Sequence, residues 1–149
     1  MSIDTKQKGD IAEQAAVLHA LNMGWAVLHP VGDRLPYDLV FDVNGVLIKI
    51  QVKSAWLDEG SGNYRVESRR TKTNRRQTKI ERYEGSDFDF ALLYIDDVDV
   101  FYVLPIEVFN SYKGAIALVE VDKRQRKPRS SAYRDAWSLI EEFAEVRHT

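Results

Sequence analysis

Apolar and polar positions alternate most regularly between Tyr37 and Lys53. Tyr37, Leu39, Phe41, Val43, Val46, Ile48, Ile50 and Val52 fall on one face. Asp38, Asp42, Lys49, Gln51 and Lys53 fall on the other, among Pro36, Val40 and Leu47. A period of two is the mark of half-buried strands, and Asn44-Gly45 between them is a strong hairpin turn signal. With those two residues as the turn, Val43 faces Val46 and Asp38 faces Gln51. Directly opposed Cβ atoms lie about 4.5–5.5 Å apart and a diagonal neighbour such as Lys53 about 7–8 Å away. An acid, an amide and a lysine therefore converge on one side, in a register that a one-residue slip would destroy.

The remaining pattern predicts alternating elements. Thr5 to about Met23 reads as a helix, nearly apolar all round, with Asp4 or Thr5 as N-cap and Gly24 as its stop. Trp25 to His29 is a short strand, and Val31 to Leu35 a loop ending at Pro36. Trp56 to Asn63 reads as a loop, followed by a basic segment expected to be helical in its later part. Phe88 to Ile95 and Val100 to Leu104 pair around Asp96-Asp97, Pro105 opens a short helix through Tyr112, and Ala115 to Val121 is a strand. Ser130 or Ser131 then caps a final helix bearing Ala132, Ala136, Leu139, Ile140, Phe143 and Val146 at helical spacing. The order implies an α/β (mixed α+β) fold, and 149 residues without internal repeats imply one domain over 1–149.

Composition narrows the chemistry. The chain has no cysteine and only three histidines, which excludes thiolate metal sites and disfavours zinc. No apolar run is long enough to span a bilayer, and the N-terminus lacks a signal-peptide core, so a cytoplasmic protein is expected. Net charge is −2, but the positive charge is segregated. Residues 63–82 hold eight bases against two acids, and 123–134 hold six bases and no acid. With so few acids to pair them, these stretches suit a phosphate backbone better than a solvated face. The hairpin's polar face, taken alone, equally suits plain contact with water. Glu13 adds a second carboxylate; its helical neighbours Gly9, Asp10, Ala16 and Val17 are mostly small or apolar, which would let that helix pack closely and carry Glu13 to Asp38.

The ordered set Gly9-Asp10-x-x-Glu13, Pro36-Tyr37-Asp38 and Gln51-Val52-Lys53 resembles the PD-(D/E)XK nuclease superfamily, in particular small intron-encoded homing endonucleases. Archaeal Holliday-junction resolvases share that core. The resemblance implies a restriction-endonuclease-like αβββαβ core, with a central mixed sheet flanked by helices. It implies a catalytic set of Glu13, Asp38, Gln51 and Lys53, with Asp38, Gln51 and Glu13 holding Mg²⁺, or Mn²⁺ or Ca²⁺ in its place. Tyr37 separates the proline from the acid, and Gln51 stands where the family carries a second acidic ligand, leaving the site one charge weaker. A glutamine carbonyl is still an oxygen donor of the kind Mg²⁺ accepts.

The resemblance makes the expected activity metal-dependent hydrolysis of both strands of a long double-stranded DNA target. A junction resolvase and an inactive DNA-binding module are the alternatives. Candidate DNA contacts are Arg65, Arg69, Arg70, Lys72, Asn74, Arg75, Arg76, Gln77 and Lys79, with Lys123, Arg124, Arg126, Lys127 and Arg129 in a second arm. One site per chain implies at least a homodimer for a double-strand break, and a long target favours a tetramer.

Overall fold

A computed structural model describes residues 4–73, 78–81, 83–121 and 127–148, with 70–73 and 78–81 as backbone only. Helix α1 (Thr5–Asn22) begins at Asp4, whose carboxylate accepts from the Gln7 N–H at 2.7 Å, and it ends where Gly24 takes φ +84°. Ala12, Ala16 and Ala20, four residues apart, are fully buried, so the helix axis approaches the sheet closely.

Strands β1 (Ala26–Leu28), β2 (Leu39–Val43) and β3 (Val46–Ser54) form an antiparallel meander. Asn44 and Gly45 both take positive φ, 53° and 87°, the geometry of a type I′ turn, and Asp42 Oδ1 accepts from the Gly45 N–H at 2.9 Å. Val43 pairs with Val46 and Leu39 with Ile50, the register expected from the sequence. After β4 (Trp56–Asp58), β5 (Asn63–Glu67), β6 (Arg70–Thr73) and β7 (Thr78–Glu81), the chain returns as β8 (Phe90–Ile95) alongside β3 in parallel. It reverses over Asp96–Val98 into β9 (Val100–Pro105), giving a mixed sheet ordered β1-β2-β3-β8-β9. Helix α2 (Ile106–Asn110) starts directly after Pro105, and β10 (Ala115–Leu118) joins β5 and β4 in a small second sheet.

Two cores lie on the two faces of the main sheet. One holds Leu39, Phe41, Ile48, Ile50, Phe90 and Leu92 under α1 and α3 (Ser138–His148). The other holds Ala91, Leu93, Tyr102 and Leu104 with Phe88, Phe109, Ile116 and Leu118. Each is built from alternate residues of the same strands, which is why β8 is apolar without interruption.

Four expectations are corrected. Trp56 to Asn63 is not a loop but most of a hairpin, with Trp56 paired to Arg65 and Asp58 to Asn63. The basic segment is not helical where it is described: β6 and β7 pair antiparallel as a ribbon, Thr71 facing Ile80 and Thr73 facing Thr78. β-branched residues at alternate positions favour the strand there. The final helix starts later than Ser131. Arg129–Tyr133 is a 3₁₀ turn, Asp135 takes φ +55° while its N–H bonds Phe101 O at 2.8 Å, and α3 opens only at Ser138. Trp137 stacking on His19 at 3.7 Å fixes that break, and Val146 at the far end of the expected stripe is exposed. Tyr37, finally, packs with the second core rather than with Leu39 and Phe41, because it precedes the first paired residue of β2.

Candidate active site

The catalytic candidates gather where the β2–β3 ladder ends. Asp38 lies one residue before β2, and its N–H still bonds Ile50 O at 2.8 Å. Its Oδ2 accepts from Gln51 Nε2 at 2.9 Å and from the Val52 N–H at 2.8 Å. The carboxylate thus takes over the N–H that lies beyond the last β2 rung. Gln51 is itself buried, at 9% exposure, and makes a long second contact to Val52 O at 3.4 Å. The hairpin register alone produces this pair.

Glu13 is half-buried on α1, and its carboxylate makes no hydrogen bond among the described residues. Burial, followed by the charges of Asp38 and Asp10, pushes its carboxyl above the usual range. Burial also pushes Asp38 upward, against the opposing pull of the Val52 N–H and the Lys53 charge. Two neighbouring carboxylates that each resist ionisation form a site that would gain from a cation.

Lys53, two residues along β3 from Gln51 and on the same face, lies with Nζ 5.1 Å from the centre of the Tyr83 ring. Its charge lowers both Asp38 and Glu67. Tyr83 was not among the sequence candidates. Thirty positions separate it from Lys53, and only its place just after the basic segment hinted at the site. Lys49, also on the polar face of the hairpin, turns instead to Ser86 O at 2.7 Å and is tied to Asp89 through its backbone.

The donor set fits a hard divalent cation. Among the described residues no three His, Cys, Asp or Glu side chains cluster in a way that could hold a metal. The oxygens available are two carboxylates and the Gln51 amide, a set suited to Mg²⁺ and unsuited to zinc. Gln51 turns its nitrogen toward Asp38, so a half-turn of the amide is what would bring its carbonyl to that side.

The basic candidates separate into groups. Arg65 pairs with Asp58 at 3.1 Å and Arg69 with Glu67 at 2.7 Å, each half-exposed. Arg70, Lys72 and Lys79 lie on the β6–β7 ribbon. Asn74, Arg75, Arg76 and Gln77, with Lys123, Arg124 and Arg126, lie outside the described residues. Lys127 is exposed, and the Arg129 guanidinium lies 4.0 Å from the centre of the Tyr112 ring. The foot of that second arm is pinned by Glu120, which receives Arg134 at 3.0 Å and the Tyr102 hydroxyl.

No helix among the described residues is long and apolar enough to cross a membrane. The model of the PD-(D/E)XK endonuclease family matches residues 3–140. A solved structure of a bacterial homing endonuclease, I-Ssp6803I, is 57% identical, covers 99% of each chain and superposes with a TM-score of 0.94. No curated protein matches the chain significantly.

Proposed function

Because this chain belongs to the PD-(D/E)XK endonuclease family and is a nuclease of the homing-endonuclease type, we propose that it makes a metal-dependent double-strand cut at a specific site in long duplex DNA. The family generally uses divalent metal ions, and Mg²⁺ is the ion proposed here. The observation that carries the reading is the Asp38–Gln51 contact at 2.9 Å, with Lys53 next along the same face.

Asp38, Gln51 and Glu13 are the residues that would hold the ion. When bound, Mg²⁺ lowers the pKa of a water and polarises the phosphoryl oxygen. Asp38 is anchored for that role by the Val52 N–H, which leaves its second oxygen for the ion. Gln51 supplies an oxygen without charge, so the metal affinity depends on the charge that the DNA phosphate brings. Lys53 presents a compact ammonium that orients the attacking water or stabilises charge building on the phosphate.

The β6–β7 ribbon and the arm at 123–129 supply the DNA contacts, some to phosphate and some to base edges. Two copies would place two sites on opposite strands, and a long target favours a tetramer. The enzyme would work in the cytoplasm. The test is incubation with plasmid and genomic DNA in Mg²⁺ or EDTA, followed by mapping of the ends. Defined, Mg²⁺-dependent ends at one sequence support the proposal; absence of cleavage, or cutting without sequence preference, overturns it.

A further inference from the structure

Lys53 does not face open solvent. Its ammonium lies 5.1 Å from the centre of the Tyr83 ring, within range of a cation–π contact. That ring is held on several sides. It meets Phe88 edge-on at 5.1 Å and Phe109 at 5.9 Å, and those two rings meet each other at 5.6 Å. Phe88 and Phe109 are fully buried and Tyr83 is 7% exposed. Asn110, closing α2, donates Nδ2 to Tyr83 O at 2.8 Å. So rigid a mounting suits a residue whose ring orientation matters. The ribbon strand β7 ends two residues before Tyr83, which puts the same ring at the foot of the segment proposed to grip DNA.

We propose that Tyr83 is a positioning residue for the reaction: its ring face holds the Lys53 ammonium toward Asp38 and ties the lysine's placement to the foot of the β6–β7 ribbon. The inference rests on the nuclease reading of the site. A flexible four-carbon stem leaves an ammonium many orientations, and an aromatic face reduces them without neutralising the charge, as a carboxylate would. Tyr83 touches neither water nor phosphate in this scheme; it acts through Lys53.

The test separates electronic from structural effects of the ring. Tyr83 is replaced by Phe, by a mono- and then trifluorinated Phe, and by Leu, in the full chain. Single-turnover cleavage of the mapped duplex in Mg²⁺, DNA affinity in Ca²⁺ and Tm are measured for each. Fluorination weakens the negative ring face while nearly preserving shape. The rate should fall stepwise along the fluorinated series, with Leu about tenfold below wild type, Phe close to it, and DNA affinity constant. A rate flat across the series overturns the proposal, as does a fall matched by lost DNA affinity or by lowered Tm. An arm without DNA keeps the test independent of cleavage. The ε-methylene protons of Lys53 should resonate upfield of those of other lysines, through the ring current of Tyr83, and lose that shift in Tyr83→Leu. An unshifted Lys53 in the wild type overturns the proposal even where cleavage is seen. A wild type that shows the shift but cuts no DNA refutes the nuclease reading and leaves the contact standing.

Discussion

Gln51→Glu restores the acid that the family motif carries at this place, and the structure allows its effect without metal to be worked out. Gln51 Nε2 now donates to Asp38 Oδ2 across 2.9 Å. A carboxylate in its place would lose that bond and set two like charges at the same separation. At an effective dielectric of about 20, two unit charges 2.9 Å apart repel by about 6 kcal/mol. The protein has a cheaper route, which is to bind one proton between the two oxygens. Protonating a carboxyl whose ordinary pKa is about 4.3 costs about 4 kcal/mol at pH 7, but only about 1 kcal/mol at pH 5. The loss in metal-free protein is therefore capped at about 4 kcal/mol at pH 7, or roughly 10 °C in Tm for a chain of this size.

The sign follows from linkage. The shared proton raises the folded-state pKa, so the variant is penalised least below the ordinary carboxylate range and loses stability as pH rises. A divalent cation replaces the proton and reverses the loss, so Mg²⁺ should raise the variant's Tm more than the wild type's. Thermal unfolding in EDTA and in Mg²⁺, at pH 5 and pH 8, measures all four corners. A variant as stable as wild type in EDTA at pH 8, or one gaining no more from Mg²⁺, would refute the placement of Gln51 against Asp38. Cleavage should persist in the variant, because the added ligand is of the type the ion prefers.

Other predictions address neighbouring groups. Asp38→Ala and Lys53→Ala should each abolish Mg²⁺-dependent cleavage while leaving DNA binding in Ca²⁺ largely intact, as gel shift alongside cleavage would show. Asp38→Asn should raise Tm in EDTA at pH 8: burial holds the Asp38 pKa up, so its contribution to stability is full below the ordinary carboxylate range and lost as pH rises. That gain should vanish near pH 4 and reverse in Mg²⁺. Glu120→Gln should cost about 2 kcal/mol, since Glu120 accepts from Arg134 and from the buried Tyr102. Burial pushes Glu120 up, yet the bonds from Arg134 and Tyr102 hold it low overall, so the gap between variant and wild type should narrow as pH falls through that depressed pKa.

The hairpin was legible because its information is local. Asn44-Gly45 sets the turn, alternation sets the buried face, and together they place Asp38 against Gln51. Helix α1 was legible for similar reasons, through its cap and its stop. The rest escaped for different reasons. Threonines and an isoleucine at alternate places were outweighed by the basic residues around them, so the ribbon read as a charged helix. The late start of α3 is dictated by Phe101 and His19, which bind the backbone of Asp135 and the ring of Trp137. Tyr83 reaches Lys53 across thirty positions, its ring taken into the second core beside Phe88. The burial that raises the Glu13 and Asp38 carboxyls depends on the docked helix, which no local pattern in the sequence carries.

The proposed chemistry requires a cation at Asp38 and Gln51. The decisive measurement is the anomalous diffraction signal of Mn²⁺ in crystals of the protein bound to its mapped duplex, with a phosphorothioate at the scissile position to prevent cutting. The predicted result is a peak within coordination distance of Asp38 and of the Gln51 carbonyl, with Lys53 facing the same phosphate. A peak held by other side chains, or full occupancy at this phosphate with Gln51 still turning its nitrogen to Asp38, would contradict it.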